Sequence, residues 1–263
     1  MALKLKKLFG VILILLFSVL SVNAKDIRFI QISEAKYSAQ NDNNNLDKVI
    51  KDINKQKNID FVIFTGDNIE RPSQENLTAF VSAVKKLKVP YYVVIGDKDV
   101  NKHKDLSKKQ YTKFLRKHVR KYKPDSPNYV FEKQGIVFMV VDGSKDVIPS
   151  TNGFYKDDVL EWVDANLDLY SKKPVIIFQH FPLIPPENRE SYITFKPEKY
   201  LEMLKNHKNV KAVISGHFGI DKEETVDGIV HISSGSVPGY RIIDVLDYNT
   251  ENPIIWAQTK TVK

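Results

Sequence analysis

Short apolar runs that alternate with amphipathic segments restrict this chain to a small set of folds. Several of the runs consist almost entirely of Val, Ile and Phe, as is typical of strands buried on both faces of a sheet. Strands that alternate with helices connect by right-handed crossovers, so the sequence predicts an α/β fold with a parallel or mixed sheet. The predicted strands are residues 27–32, 61–65, 91–95, 136–141, 175–179, 212–215, 229–233, 241–246 and 254–258.

Three apolar stripes at helical spacing predict helices that cover this sheet. They run through residues 77–87, 111–119 and 159–167, and Ser107 is the predicted N-cap of the second helix. The strands after residue 210 follow one another more closely, with Asp227-Gly228 as a turn signal between two of them. We therefore expect the late strands to form a second sheet of more antiparallel character.

The start of the chain has the pattern of an export signal. Three lysines precede an almost entirely apolar run at residues 8–22, and Val22-Asn23-Ala24 is a small-residue cleavage site. We predict a signal peptide at residues 1–24, one large domain at residues 25–263, and a secreted or periplasmic location. An uncleaved membrane anchor is the alternative.

Charge and cysteine content narrow the classes of function. The formal net charge is +8, and three of these positive charges lie in the predicted signal, so the remainder is only modestly basic. The chain has no cysteine, which excludes disulfides and thiolate metal sites.

One segment is far more basic than the rest. Residues 102–123 hold ten lysines and arginines against a single acid, Asp105. The simplest interpretation is the solvated face of a helix, and weak contact with an anionic surface is the alternative. Aromatic residues are not interleaved with the basic ones in the way that nucleic-acid binding requires, so we expect no nucleic-acid partner.

Five polar side chains follow the predicted strands directly. They are Glu34, Asp67, Asp97, His180 and His217. Ligand sites in open α/β sheets form beyond the carboxyl ends of the strands, so we expect these five groups to converge on one crevice.

The motifs that contain these residues resemble those of the calcineurin-like metallophosphoesterases. That family uses Asp-x-His, Gly-Asp-x-x-Asp/Glu, Gly-Asn-His-Asp/Glu, a lone His and Gly-His-x-His to hold two divalent metals. The resemblance implies a four-layer α/β/β/α sandwich, in which two mixed sheets pack face to face with helices outside. The corresponding motifs here are Ser33-Glu34-Ala35-Lys36, Gly66-Asp67-Asn68-Ile69-Glu70, Gly96-Asp97-Lys98-Asp99, Gln179-His180-Phe181-Pro182 and Gly216-His217-Phe218-Gly219.

The resemblance implies that one half of the metal site is retained. Asp67 takes the place of the aspartate that bridges both metals, and Asp97, His180 and His217 take the places of the other ligands of the second metal. Aspartate at position 97 offers the oxygen that asparagine would have offered, plus a charge. Two imidazoles and two carboxylates suit Mn, Fe or Zn.

The other half of the site has changed its ligands. The matching positions hold Glu34, Lys36, Asp67 and Gly219. Glutamate still offers an oxygen, but a protonated lysine has no lone pair and glycine has no side chain. We therefore expect one bound divalent metal rather than two.

The lysines are the candidate catalytic groups. Lys98 stands where the family has the histidine that protonates the leaving group, and Asp99 is the predicted partner that orients Lys98. Lys36 and Lys98 would clamp a phosphate ester or another anionic ligand. The predicted activity is hydrolysis of phosphate monoesters or diesters at a reduced rate, and the alternative is a non-catalytic module that binds an anionic ligand.

Overall fold

The computed structural model describes residues 26–41, 44–119, 125–189, 191–248 and 253–263. The predicted signal peptide lies outside the described residues. Within those ranges, no helix has both the length and the apolar character that a membrane span needs.

Eleven strands and five helices alternate along the described part of the chain. The strands are β1 (Ile27–Ile32), β2 (Phe61–Thr65), β3 (Tyr91–Val94), β4 (Tyr129–Lys133), β5 (Ile136–Val140), β6 (Val175–Phe178), β7 (Val210–Gly219), β8 (Lys222–Val226), β9 (Ile229–Gly235), β10 (Gly239–Leu246) and β11 (Ile254–Thr261). The helices are α1 (Asn45–Ile53), α2 (Gln74–Val84), α3 (Lys108–His118), α4 (Asp157–Leu169) and α5 (Glu198–Asn206). Ser107 caps α3 as predicted, since its hydroxyl accepts from the backbone N–H of Gln110 in a complete capping box.

The strands form two mixed sheets. The first sheet has five strands in the order β11-β10-β1-β2-β3, and the second has six in the order β4-β5-β6-β7-β9-β8. Strands β1, β2 and β3 run parallel, as do β5, β6, β7 and β9. Loops that leave the carboxyl ends of parallel strands emerge at a common edge, which is where the polar residues of the sequence motifs lie.

Phenylalanine side chains from both sheets fill the space between them. Phe29 and Phe61 of the first sheet stack with ring centroids 4.8 Å apart, and Phe61 contacts Phe138 of the second sheet at 5.0 Å. On the opposite face of the first sheet, Phe64 packs against Phe80 of α2 at 5.3 Å. A separate apolar cluster joins the outer face of the second sheet to α4 and α5. Helix, sheet, sheet and helix therefore form four layers, and the predicted fold class is confirmed.

The expectation that the late strands form a sheet of their own is wrong. Strands β7, β8 and β9 belong to the second sheet, whereas β10 and β11 return to the first. The reason is that β10 pairs antiparallel with β1, in a register that sets Ile27 opposite Val245 and Gln31 opposite Arg241. Strands β4 and β8 are not among the predicted strands. The first is a short strand at the edge of its sheet, and the second is polar and mostly exposed, with the sequence Lys-Glu-Glu-Thr-Val.

Candidate metal centre

A polar network joins the carboxyl ends of the two sheets. The Gln31 side chain in β1 donates to the carbonyl of Ser215 in β7 at 2.7 Å and to the hydroxyl of Thr65 in β2 at 3.1 Å. The carbonyl of Thr65 in turn accepts a hydrogen bond from Nδ1 of His180, which follows β6. These bonds fix the loops of both sheets around one crevice.

Four of the predicted site residues have left-handed backbone conformations. The φ angles are +54° at Glu34, +44° at Lys36, +52° at Asp67 and +74° at His217. Residues other than glycine rarely adopt this region, and such strained positions concentrate at functional sites. The first two loops hold each other in place, since the N–H of Lys36 donates to the carbonyl of Asp67 at 2.9 Å.

Backbone carbonyls orient the two histidines. Nδ1–H of His180 donates to the carbonyl of Thr65 at 2.8 Å, and Nε2–H of His217 donates to the carbonyl of Thr151 at 2.9 Å. The remaining ring nitrogens, Nε2 of His180 and Nδ1 of His217, face each other at 3.0 Å. Two lone pairs at that distance repel, so a proton or a metal cation must lie between them.

Carboxylates complete the site around these two nitrogens. Oδ1 of Asp97 lies 3.1 Å from Nε2 of His180 and 3.2 Å from Nδ1 of His217, and Oδ1 of Asp67 lies 3.5 Å from Nε2 of His180. All four side chains are at least nine-tenths buried. Imidazoles fixed by carbonyls, with carboxylates beside them, form a donor set that fits one divalent metal.

The carboxylates determine the proton affinity of the histidines. Burial alone would lower the pKa of His180, but the charges of Asp67, Asp97 and Glu34 together raise it to about 10. Burial lowers the pKa of His217, and the charge of His180 adds to this effect. In the metal-free site, His180 therefore carries the proton that separates the two facing nitrogens.

Each lysine pairs with a different carboxylate. The ammonium of Lys98 lies 2.8 Å from Oδ2 of Asp67, and its backbone N–H donates to Oδ1 of the same residue at 3.0 Å. The ammonium of Lys36 lies 3.0 Å from Oε2 of Glu34. Both lysine side chains keep more than 40% of their surface exposed, whereas their partners are buried. The crevice therefore presents two ammonium groups to solvent, above a layer of carboxylates.

Glu34 also faces the histidines. One of its oxygens lies with ring nitrogens of His180 and His217 in a group whose ligand atoms are all within 4.8 Å of one another. Oε1 of Glu34 is buried and has no hydrogen-bond partner among the described residues. Burial and the charge of Asp67 raise the pKa of Glu34 to about 7, against the opposing effect of Lys36. A buried oxygen without a hydrogen-bond partner, beside two imidazoles, fits the role of a cation ligand.

Asp99 binds the loop backbone rather than the Lys98 ammonium. Its carboxylate accepts from the N–H groups of Gly96, Asn68 and Ile69 at 2.8–3.0 Å and from the Asn68 amide at 2.8 Å. The predicted orientation of Lys98 by Asp99 is thus not a direct contact. Asp99 instead fastens the loop that carries Asp97 and Lys98 to the loop that follows β2.

The last position of the Gly-His-x-His motif offers no ligand. Gly219 ends β7 with a φ of +68°, and a Cβ placed there would lie 2.9 Å from the hydroxyl of Ser236. A histidine at this position would be strained in the backbone conformation that the chain adopts. The backbone at this position therefore favours glycine over the histidine that would complete the ligands of the second metal.

Three groups at this edge of the sheets are absent from the sequence-based predictions, namely two backbone carbonyls and one carboxylate. The carbonyls of Thr65 and Thr151 have no sequence signature, because any residue supplies one. Asp142 follows β5 in the same way that Asp97 follows β3, so its place after an apolar run could have been recognised in the sequence. The structure pairs Asp142 with Lys108 of α3 at 2.6 Å.

Gly66 provides a test of how closely the chain packs beneath His180. A Cβ at this position would lie 2.2 Å from Nδ1 of His180, and φ is +94°. Gly228 has a φ of +79° with no atom within 4 Å of such a Cβ, so it reports backbone strain alone. We predict that Gly228→Ala loses about 1–3 kcal/mol of unfolding free energy through backbone strain, and that Gly66→Ala loses more because the clash adds to the strain. We predict that only Gly66→Ala weakens Zn²⁺ binding, roughly 10- to 100-fold by titration calorimetry. Equal Zn²⁺ affinity in the two variants would contradict the proposed role of His180.

The raised pKa of His180 predicts that metal binding displaces a proton. At pH 8 this imidazole is still protonated, because its pKa is about 10, while Glu34, with a pKa of about 7, has largely ionised. Zn²⁺ binding at pH 8 should therefore release about one proton, and the apparent affinity should rise with pH until His180 deprotonates. Calorimetry in buffers of different ionisation enthalpy measures the release. His231→Gln is the control, since burial lowers the pKa of His231 to about 4. Zinc binding without proton release would show that His180 is neutral.

A family profile, several curated proteins and several solved structures match this chain. The profile of the family described as calcineurin-like phosphoesterase matches residues 39–220. The matched range contains the loops of Asp67, Asp97, His180 and His217, whereas the Glu34–Lys36 loop precedes it.

Two curated proteins illustrate how distant the relatives are. The chain is 27% identical over 204 residues to YvnB of Bacillus subtilis, and that match spans 74% of this chain but 16% of YvnB. It is 26% identical over 203 residues to a protein of Xenorhabdus bovienii named as a probable cyclic nucleotide phosphodiesterase, with 74% of this chain and 76% of that protein covered.

A solved structure shows the same architecture. The crystal structure of a dimetal phosphatase from Danio rerio matches with a TM-score of 0.65 at 16% identity, and the match covers 90% of this chain and 99% of that one. At this identity the likeness shows the fold. Because the family profile spans more than half of the sequence, the chain belongs to the calcineurin-like phosphoesterase family.

Proposed function

We propose that this chain binds phosphate diesters in the crevice and hydrolyses them slowly, with the help of one divalent metal. The family acts on phosphate esters and depends on divalent metals. The observation that carries the proposal is the facing pair of ring nitrogens in His180 and His217, 3.0 Å apart beside Asp97, next to a lysine that neutralises Asp67. One half of the site is thus prepared for a metal, and Asp67, which both halves share, already pairs with a cation.

The metal would be held by Asp67, Asp97, His180 and His217, with Glu34 as a further oxygen donor. When bound, it would supply Lewis acidity toward the phosphoryl group. The carbonyls of Thr65 and Thr151 orient the imidazoles before any metal arrives, so binding requires little rearrangement.

The two lysines would bind the phosphate. Burial lowers the pKa of Lys98, but the adjacent Asp67 charge outweighs it and the net pKa is raised. Lys98 is therefore a fixed positive charge at neutral pH and a poor proton donor. It stabilises negative charge on the phosphoryl oxygens without protonating the leaving group. Substrates whose leaving groups need no proton, such as aryl esters, should consequently react fastest.

A diester is the favoured substrate for two reasons. One relative that spans most of this chain carries the name of a probable cyclic nucleotide phosphodiesterase. The two lysines already pair with Glu34 and Asp67, so less positive charge is left to balance the second negative charge of a monoester than the single charge of a diester.

A non-catalytic binding module is the second candidate. The pairing of Glu34 with Lys36 and of Asp67 with Lys98 supports it, since both carboxylates are neutralised by the chain itself. Such a crevice would retain anionic ligands without turning them over.

Hydrolysis of bis(4-nitrophenyl) phosphate and of a dialkyl phosphate, each with added Mn²⁺ or Zn²⁺, separates the two candidates. We predict slow turnover of the aryl diester and little or none of the alkyl diester. Lys98→Gln should lower kcat/KM for the aryl diester roughly 10- to 100-fold, the usual effect of losing a hydrogen bond to a charged group. Lys109→Gln, on the exposed face of α3, is the matched control and should leave kcat/KM unchanged.

Two outcomes would change this proposal. If the protein binds phosphate but releases no nitrophenol with either metal, the chain is a binding module. If Lys98→Gln behaves like Lys109→Gln, Lys98 does not contact the substrate.

A further inference from the structure

An apolar cavity opens beside the crevice and has no part in the function proposed above. Its volume is about 510 Å³, which lies within the range of sites for drug-sized ligands. The side chains that define it are Ser144, Val147, Ile148, Phe154, Lys156 and Phe195.

The apolar side chains that form the cavity walls are unusually exposed to solvent. Val147 and Phe195 each have 50% of their surface exposed, and Ile148 has 77%. Only three other large apolar side chains in the described ranges are comparably exposed. Concentrated exposure of this kind marks a surface that binds an apolar group.

The cavity and the candidate metal centre share two loops. The carbonyl of Thr151 orients His217, and the ring of Phe154, three residues later, lines the cavity. The second loop pairs with the first through Gly153 and Thr194 and brings Phe195 to within 6.0 Å of Phe154, ring to ring. Three residues of extended chain span about 10 Å, so the backbone of Phe154 lies within that distance of Thr151, which contacts His217.

The floor of the cavity also touches the crevice. The hydroxyl of Ser144 donates to the carbonyl of Ile95 at 3.0 Å, and Ile95 is followed directly by Gly96 and Asp97. The cavity therefore lies at the same carboxyl edge of the sheets as the metal centre.

Lysines surround the apolar walls. The ammonium of Lys145 lies 5.2 Å from the Phe154 ring, that of Lys196 lies 5.3 Å from the Phe195 ring, and Lys156 contributes to the lining. Asp146 also lines the cavity, and its carboxylate accepts a hydrogen bond from the backbone N–H of Lys108 at 2.9 Å. Apolar walls with a cationic rim complement a ligand that has a hydrocarbon part and a negative charge.

We infer that this cavity holds the hydrocarbon part of a phosphate ester whose phosphate lies at Lys36 and Lys98. The ligand class is thus an anionic amphiphile, a phosphate diester in which one of the two alcohols carries an alkyl or acyl group. This inference rests on the function proposed above, because the phosphate of the same ligand must reach the lysines. The cavity adds affinity and selects among esters, while the crevice binds the phosphate.

The test is calorimetric binding of methyl n-alkyl phosphate diesters, with alkyl groups from ethyl to decyl, each below its micelle concentration and with the full chain. Affinity should rise about fourfold for each methylene that enters the cavity, the equivalent of ~0.8 kcal/mol. Ile148→Ser and Phe195→Ser should weaken binding of the octyl diester roughly tenfold and leave binding of the ethyl diester unchanged. Ile254→Ser is the control, because Ile254 is 57% exposed on β11, outside this cavity. Lys98→Gln should weaken binding of the ethyl and octyl diesters by the same factor.

Each result is decisive for one proposal or the other. If the ethyl diester binds through Lys98 but affinity does not rise with alkyl length, the inference is overturned and the proposed function stands. If affinity rises equally in the Ile148→Ser and Phe195→Ser variants, the alkyl group binds elsewhere and the inference also fails. If the octyl diester binds through the cavity while Lys98→Gln changes nothing, the cavity is not a substrate subsite. If the ethyl diester does not bind at all, the proposed function fails, and an effect of alkyl length that depends on Ile148 still shows an amphiphile site.

Discussion

Three carboxylates share one buried crevice, and the need to balance their charge shapes everything around them. Glu34, Asp67 and Asp97 are nearly inaccessible to water, so each needs a cation or a set of hydrogen bonds close by. In a two-metal member of the family, the dications meet that need. Here Lys36 balances the charge of Glu34, Lys98 balances that of Asp67, and a protonated His180 balances that of Asp97.

This division of charge explains why the two halves of the site differ. The ammonium groups of Lys36 and Lys98 lie 3.0 and 2.8 Å from the carboxylates that they neutralise. The proton on His180 can be exchanged for a metal, because the ring nitrogen that carries it faces His217 and Asp97. One half of the site is thus fixed in its charge, and the other half is open to a metal. The slow hydrolysis, the single metal and the anion binding that we propose all rest on this arrangement.

Preorganisation of the open half comes from the backbone. Left-handed conformations at Asp67 and His217 direct their side chains into the crevice, and carbonyls of Thr65 and Thr151 set the orientation of the rings. The cost of this strain is met by the packed sheets beneath, in which β2, β6 and β7 are almost completely buried. The geometry therefore exists before any ligand binds.

The sequence predicts the fold and the positions of the site residues better than it predicts their contacts. Buried strands such as β2 and β6 have continuous apolar runs, and Asp67 and His180 follow those runs directly, so their placement at one sheet edge is foreseeable. Polar edge strands such as β8 carry no such pattern. The partners of the two lysines depend on loop geometry that a sequence does not encode in any short motif. The orienting carbonyls are invisible in sequence for the same reason, since every residue has one.

Metal stoichiometry tests the central claim most directly. Purified protein would be saturated with Mn²⁺ or Zn²⁺, dialysed, and analysed for metal per chain, with His217→Ala as the matched variant. The account predicts one equivalent of metal in the unaltered protein and none in the variant, because Lys36 and Gly219 cannot act as ligands. Two equivalents in the unaltered protein would contradict it, since the lysines would then have to leave the carboxylates that they pair with.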